Sequence, residues 1–322
     1  MADRPRRRRL RRTLLAALVT FAVAVPVSGA ARPAAVPAPA PTALGPLRDA
    51  SPAVLEERYA VSRRDIRAAE RAADGHGDLR RAASLRAMAA PGRQFLSFDG
   101  RDGGRSVEVV GELSSARRAA VLVPGAGVGL DAYGRLRRGA VALQRELGQG
   151  GAVVVWLGYR SPATVSPASV TDARAAEAAP GLRRLVDRLE AVLPGVRLTL
   201  LCHSYGSVIC ARAASGTAAD AVVLYGSPGV GVEDVASLRT GARVWAGRGG
   251  DDWIAGVPHA RVRVPFAGAV GFGTDPVAER FGAEVFDAGD GGHSDYLRSG
   301  SRSLTNLARI SSGRAPLEAS HG

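Results

Sequence analysis

Residues 198–214 read Leu-Thr-Leu-Leu-Cys-His-Ser-Tyr-Gly-Ser-Val-Ile-Cys-Ala-Arg-Ala-Ala, and this stretch decides the fold. It begins as an apolar strand, turns sharply around Ser204 and continues as an apolar helical run. A serine on such a turn needs small neighbours, because the strand and helix backbones approach closely there. Gly206 meets this need after the serine, while Cys202 stands before it where the G-x-S-x-G pattern has glycine. The segment predicts that Ser204 is a nucleophile, with a structural or decayed turn as the alternative.

Short β-type runs alternate with helical stretches from Gln94 onward. Several of these runs are continuous Val and Leu, which is typical of strands buried on both faces of a parallel sheet. Helical stretches at 133–147 and 173–193 would supply the crossovers. The sequence therefore predicts an α/β-hydrolase fold at 93–312, with a mostly parallel central sheet and helices on both faces. Its strands are expected at 95–98, 107–110, 120–123, 153–157, 198–201, 222–225 and 244–246.

A glycine-rich loop at 123–129 follows one of these strands, and its position would also suit a dinucleotide-binding loop. The G-x-G-x-x-G spacing fails, because Leu130 stands where the third glycine is required and no acidic residue ends the next strand. In a hydrolase the same loop lends a backbone N–H to the oxyanion hole, and the residue after the nucleophile lends another. We expect Ala126 and Tyr205 to be these donors; a flexible lid or a simple turn is the alternative for the loop.

The general base is predicted from chain order, which in this fold is serine, then acid, then histidine. His259 and His293 both follow a candidate acid inside the domain. His293 lies in the loop Gly-Asp-Gly-Gly-His-Ser-Asp-Tyr, which can present an imidazole at the top of the sheet, and is the predicted base. His259 follows the acid too closely and suits a surface loop or the binding cleft. His203 adjoins the serine and is expected to serve packing or a hydrogen bond at the strand edge.

The acid is predicted just after the strand at 243–246, where a carboxylate can orient an imidazole. Two candidates adjoin there, and we prefer Asp252 to Asp251 because Trp253 and Ile254 would anchor the loop after it. Asp290 is a reserve acid. The other acidic residues near His293 are expected to be solvated loop charges.

Cys202 and Cys210 are the two cysteines of the chain, and both fall in the strand, turn and helix segment. We expect the elbow to separate them beyond the roughly 4.4–6.8 Å between Cα atoms that a disulfide requires. The sequence therefore predicts two small buried thiols and a fold that does not depend on oxidation.

The net charge of +13 is carried by arginine, and nearly half of it lies in the first 30 residues. Aromatic residues do not interleave with a basic stripe, which argues against a nucleic-acid partner. The spacing of His, Cys and Asp shows no metal-ligand cluster, so we expect no metal and no cofactor.

The first 30 residues have the three parts of a signal peptide: arginines up to Arg12, an apolar stretch Leu14 to Val27, and the small residues Ser28-Gly29-Ala30. The apolar stretch is shorter than the roughly 20 residues that span a bilayer. We therefore expect a secreted or extracytoplasmic protein, exported by the Sec or twin-arginine route, with no stable membrane span after cleavage. An uncleaved anchor is the alternative.

Three further segments flank the predicted catalytic domain. Residues 31–50 are rich in Pro and Ala and are expected to be a linker, and residues 313–322 a disordered tail. Residues 51–92 predict an extension of two helices with a break at Gly75-His76-Gly77. Its candidate inward residues are Leu55, Tyr59, Ile66, Leu79, Leu85 and Met88.

The chain resembles a family of exported actinobacterial α/β hydrolases of unassigned function. The resemblance covers about residues 95–312 and rests on five segments in order, namely Val123 to Gly125, Trp156 to Tyr159, His203 to Ser207, Gly226 to Val230, and Gly292 to Tyr296. A D-x-I-A run of the family falls on Asp252 to Ala255, which supports Asp252 as the acid. Two residues depart from the family: Cys202 stands in place of glycine, and Arg160 stands where an acidic residue is common. The change at Arg160 suggests a substrate different from that of the other family members.

Together these features predict a monomeric serine hydrolase that cleaves a small-molecule or lipid ester through an acyl-enzyme. An acyltransferase or a peptidase would use the same residues. A non-catalytic binding protein on a hydrolase scaffold is the alternative from another class, and a distance from His293 Nε2 to Ser204 Oγ far beyond roughly 3.2 Å would favour it.

Overall fold

An eight-stranded sheet forms the centre of the computed structural model, which describes residues 36–162, 166, 169, 171–264 and 268–318. The predicted signal peptide lies outside these residues. All seven predicted strands are present, and an eighth, β10 (Glu284–Val285), was not predicted. The strands of the sheet are β1 (Gln94–Asp99), β2 (Arg105–Val110), β3 (Arg118–Val123), β4 (Gly151–Leu157), β5 (Arg197–His203), β6 (Ala221–Tyr225), β7 (Arg243–Gly247) and β10 (Glu284–Val285).

The strand order is β1-β2-β4-β3-β5-β6-β7-β10. In this spatial order, each neighbouring pair from β4 to β10 is parallel, whereas β2 pairs antiparallel with both β1 and β4. The parallel strands are the continuous Val and Leu runs, and β4 and β6 are buried along their whole length. A separate antiparallel pair, β8 (Val262–Val264) and β9 (Gly268–Val270), lies between β7 and β10 in the chain.

Helices cover both faces of this sheet. The chain moves one way from β3 to β4 and the opposite way from β4 to β5, so right-handed crossovers place α3 and α4 on opposite faces. Helix α3 packs on α6 and helix α4 packs on α5, which gives each face a pair of helices. This is the predicted α/β-hydrolase fold. The described helices are α1 (Pro52–Gly75), α2 (Leu79–Met88), α3 (Tyr133–Leu147), α4 (Ala173–Val192), α5 (Tyr205–Ala214) and α6 (Arg302–Ser311).

The predicted helical extension is present as α1 and α2, and α1 packs against the edge strand β1. Leu55, Tyr59 and Ile66 are buried as expected. Leu79 is an exception: it is 69% exposed, because it is the first residue of α2 and lies off the buried face. Among the described helices, none has the length and apolarity that crossing a bilayer requires.

The segments expected to be a linker and a disordered tail are in part packed on the domain. Residues 36–50 have no regular structure, yet Leu47 is buried in the core and Thr42 donates its hydroxyl hydrogen to Asp65 at 2.8 Å. Residues 313–318 contact α6, where Asn306 accepts the backbone N–H of Leu317 at 2.7 Å. Composition alone identified neither contact, since the first segment is held by two side chains, Leu47 and Thr42, and the second by the backbone of Leu317.

Cys202 and Cys210 form a disulfide, so the prediction of two free thiols is wrong. The sharp turn at Ser204 sends α5 back alongside β5 instead of away from it. This return brings the two Cα atoms to 6.3 Å, within the range that a disulfide spans. The bridge encloses the predicted nucleophile in a covalent ring, and both cysteines are fully buried.

Removing this bridge should lower the free energy of unfolding by about 2.5 kcal/mol, because a crosslink across eight residues restricts the unfolded chain. The variant is Cys202→Ala with Cys210→Ala, compared with wild type by urea titration. Dithiothreitol should destabilise the wild type and leave the variant unchanged. Alkylation of two thiols in unfolded, unreduced wild type would contradict the bridge.

Candidate active site

The turn between β5 and α5 holds Ser204 in a conformation that few side chains adopt, with φ 52° and ψ −125°. The backbone N–H of Ser204 donates to the carbonyl oxygen of Tyr225 at 3.0 Å, which ties the turn to the next strand. A Cβ at Gly206 would lie 2.5 Å from the carbonyl oxygen of Val123, so a larger residue cannot occupy that position without displacing backbone. The elbow geometry predicted from the sequence is therefore present, and it requires glycine at 206.

The loop after β3 passes directly over the serine. A Cβ at Gly125 would lie 2.7 Å from Ser204 Cβ and 3.2 Å from Ser204 Oγ. β3 and β5 are neighbours whose following connections leave in opposite directions, and such a switch point opens a crevice at the carboxyl edge of a parallel sheet. Ser204 stands in that crevice.

His293 is in hydrogen-bond contact with the serine: its Nε2 lies 2.9 Å from Ser204 Oγ. Its other ring nitrogen, Nδ1, lies 2.9 and 3.0 Å from the two carboxylate oxygens of Asp252. An ionised carboxylate only accepts hydrogen bonds, so Nδ1 carries the proton and Nε2 is free to accept from the hydroxyl. The structure thus brings together the three residues selected from the sequence.

Asp252 is buried beneath the imidazole, with 2% of its surface exposed. Burial by itself raises the pKa of this carboxyl, but hydrogen bonds from His293, Tyr296 and the backbone N–H of Ile254 outweigh it and hold the pKa below its usual value. The Ile254 bond measures 2.9 Å. Asp252 therefore remains an anion that accepts the Nδ1 proton.

Tyr296 belongs to the site but was not predicted to do so. Its hydroxyl donates to Asp252 Oδ2 at 2.5 Å and accepts the backbone N–H of Gly249 at 3.0 Å. Burial and the adjacent carboxylate raise the pKa of Tyr296, so the phenol stays protonated and serves as a donor. The one signal in the sequence was a tyrosine three positions after the predicted base.

The acid loop and the histidine loop touch through their glycines. A Cβ at Gly249 would lie 1.9 Å from the carbonyl oxygen of Gly291, so this contact requires glycine.

The alternative acids do not take part in the site. Asp251 and Asp290 are exposed, and neither contacts His293 in the described part of the chain. His259 lies 3.8 Å from Asp275 and does not join the site, as its position after the acid indicated.

His203 supports the backbone of His293. Its Nε2 lies 2.8 Å from the carbonyl oxygen of His293, and since a carbonyl only accepts, Nε2 carries the hydrogen. Burial and the neighbouring imidazole lower the pKa of His203 to about 3, so its ring is neutral at neutral pH. The expected hydrogen bond at the strand edge therefore holds the backbone of the histidine loop.

Trp253 differs from its predicted role as a loop anchor. Ile254 is buried and anchors the turn, whereas Trp253 is 54% exposed. The indole lies against His293, with 4.6 Å between ring centroids. A large, half-exposed apolar side chain thus borders His293.

The carbonyl oxygen of Gly125 accepts from the hydroxyl of Ser161 at 3.2 Å and from that of Tyr159 at 3.0 Å, whose hydrogen is shared with the carbonyl oxygen of Pro124 at 2.9 Å. In a trans peptide the carbonyl and the following N–H point in opposite directions, so the N–H of Ala126 faces away from these hydroxyls. Tyr205 begins α5, and the first N–H groups of a helix have no partner inside it. Neither N–H donates to another residue in the described part of the chain, which leaves both free to bind an anion.

The described residues hold no group of three or more His, Cys, Asp or Glu side chains that could bind a metal ion. The chemistry available at this edge of the sheet is that of a hydroxyl, an imidazole and a buried carboxylate in series. Such a series can activate the hydroxyl as a nucleophile.

Relatives of the chain are found among curated and solved proteins. Two uncharacterized proteins from two strains of Mycobacterium tuberculosis are each 32% identical to it, over 70% of this chain and 39% of the relative. The chain thus spans about two fifths of the length of the curated relatives it matches. A serine hydrolase without a lid from Xanthomonas campestris has a TM-score of 0.45 at 20% identity and covers 71% of this chain and 98% of its own. The esterase LipW of Mycobacterium marinum has a TM-score of 0.44 at 16% identity, covering 82% and 90% respectively.

A family model described as alpha/beta hydrolase matches residues 99–262, a range that contains Ser204 and Asp252 and ends before His293. The match agrees with the observed sheet order and with the strand, turn and helix around the serine. The chain belongs to the alpha/beta hydrolase family.

Proposed function

We propose that this protein is an exported serine hydrolase that cleaves carboxylic esters through an acyl-enzyme. One observation carries the proposal: Asp252, His293 and Ser204 form an unbroken series of hydrogen bonds that ends at the serine hydroxyl, with 2.9 Å from His293 Nε2 to Ser204 Oγ. A non-catalytic protein has no need of this alignment. A distance of 2.9 Å lies well inside the reach of a general base.

In the first step Ser204 Oγ attacks the ester carbonyl carbon while its proton passes to His293 Nε2. Asp252 stays ionised and stabilises the imidazolium that forms. Its depressed pKa and its buried position suit this role, since the carboxylate does not take the proton itself. The hydrogen bond from Tyr296 fixes the carboxylate that orients the ring.

The tetrahedral intermediate carries a negative oxygen that needs donors placed in advance. The N–H groups of Tyr205 and Ala126 are the candidates, because both lie beside the serine and are otherwise unpaired within the described residues. Tyr159 and Ser161 act as positioning residues, since they hold the Gly125 carbonyl and with it the orientation of the Ala126 N–H.

When the intermediate collapses, the bond to the alcohol oxygen breaks and His293 returns its proton to that oxygen. The acyl group remains on Ser204 until water, activated by the same imidazole, releases the acid and restores the hydroxyl. Atoms and protons balance over the two steps with water as the second reactant.

Export is part of the proposal and rests on two features. The residues at 1–30 have the pattern of a signal peptide. The Cys202–Cys210 disulfide is typical of proteins from oxidising compartments. Ester substrates outside the cytoplasm include both small molecules and lipids.

A fluorophosphonate probe should label the wild type covalently and should not label Ser204→Ala. The probe reacts with a serine only where a base removes its proton. The matched control is Ser294→Ala, an exposed serine next to His293 whose loss should leave labelling intact. Wild-type protein that is folded by circular dichroism and never labels would count against a catalytic role.

Replacing Tyr296 with phenylalanine should lower kcat for an ester by about 10-fold, a cost of the order expected for losing a hydrogen bond to a charged group. The pH profile should change as well. Loss of a donor raises the pKa of Asp252, so the loss of kcat/KM that accompanies protonation of this carboxyl should begin at a higher pH than in the wild type.

The control for this variant is Tyr225→Phe, a buried tyrosine 5.1 Å from Tyr296 between ring centroids that makes no bond to Asp252. Its acid limb should match the wild type. If both variants share the wild-type profile, the Tyr296 hydroxyl has no part in tuning the acid.

A further inference from the structure

Trp253 is the exposed member of the three tryptophans in the chain. The side chains of Trp156 and Trp245 are buried, with 3% and 6% of their surfaces exposed, against 54% for Trp253. Leaving an indole in water forfeits the stabilisation that its burial would bring. A large exposed apolar group therefore calls for an explanation when it borders a reactive centre.

The backbone that carries this side chain is held in place on both sides. Trp253 stands between Asp252, whose carboxylate accepts the N–H of Ile254 at 2.9 Å, and the buried side chain of Ile254 itself. The three residues begin a short 3₁₀ turn. The indole is thus presented by a fixed backbone, and it contacts the imidazole of His293 with 4.6 Å between centroids and 49° between planes.

The side of the site on which Trp253 lies identifies the part of the substrate it would meet. His293 returns a proton to the departing alcohol oxygen, so the alcohol must lie on the histidine side of Ser204 Oγ. The candidate oxyanion donors, Ala126 and Tyr205, belong to the loop after β3 and the start of α5. The ring that packs on His293 therefore borders the space for the alcohol.

We propose that Trp253 binds the alcohol part of the substrate and that this enzyme prefers esters of apolar alcohols. This inference rests on the proposed function and names the substrate class of the same site. An alkyl chain or an apolar ring of the alcohol covers the indole face and removes it from water on binding. Trp253 is then a specificity-determining residue that acts on the leaving group and leaves the choice of acyl group unaffected.

The first test varies the alcohol and the acyl group separately. Rates of acid release are compared for hexyl acetate and methyl acetate, and then for methyl hexanoate and methyl acetate. Trp253→Ala should lower the hexyl-to-methyl alcohol ratio of kcat/KM by about 10-fold, in line with losing an apolar contact in a binding site. The acyl ratio should not change, and Trp253→Phe should retain most of the alcohol preference.

The matched control is Leu79→Ala, which removes another exposed apolar side chain, on α2 and away from the site, and should leave both ratios at the wild-type values. Fluorophosphonate labelling of Trp253→Ala at the wild-type extent shows that the site is folded. If Trp253 merely positions His293, all esters slow together and both ratios stay constant. That result would overturn the proposal while leaving the proposed function intact.

A second test does not depend on turnover. In Ser204→Ala protein, hexyl acetate should reduce acrylamide quenching of tryptophan fluorescence, because the bound alkyl chain covers the exposed indole; methyl acetate at the same concentration should not. Ser204→Ala combined with Trp253→Phe retains only the two buried tryptophans and should show no ester effect. Unchanged quenching with hexyl acetate rejects the alcohol site. Protection in Ser204→Ala, together with a wild-type protein that hydrolyses no ester, rejects the hydrolase and keeps the site.

Discussion

The close contact between the elbow and the end of β3 is the constraint on which the rest of the site depends. Gly206 fits under the carbonyl oxygens of Val123 and Pro124 because it has no side chain. This contact lets α5 return along the sheet and leaves Ser204 at the apex with a positive φ. The same contact places the loop after β3 over the serine. The absence of a side chain at Gly206 thus fixes the position of Ser204 relative to the candidate oxyanion donors.

A second organising feature is the buried carboxylate that joins two distant loops. Asp252 accepts hydrogen bonds from His293 and Tyr296, which are 41 and 44 residues further along the chain. Gly249 and Gly291 provide the backbone approach that these bonds require. The carboxylate therefore closes the histidine loop onto the end of β7, and burial of its charge is offset by three donors.

The sequence predicted the features of this protein that follow from local pattern and chain order. The Val and Leu runs identified the strands, and the order of serine, acid and histidine selected three residues that the structure brings into contact. Contacts between residues that the folded chain brings together could not be predicted from local pattern or chain order. The Cys202–Cys210 bridge requires knowing that α5 lies back along β5, and the bond from Tyr296 requires knowing which atom faces the carboxylate. Exposure was also misjudged where a residue begins a turn or helix, as with Trp253 and Leu79.

The imidazoles of His203 and His293 lie side by side at the centre of the site, and only one of them is available to take up a proton. His203 and His293 lie 4.7 Å apart between ring centroids, close enough for a charge on one ring to act on the other. His203 is kept neutral by burial, and its Nε2 hydrogen is committed to the carbonyl of its neighbour. In the proposed reaction, the proton that leaves Ser204 therefore has a single acceptor, His293, because the neutral ring of His203 neither takes up this proton nor opposes its arrival with a positive charge.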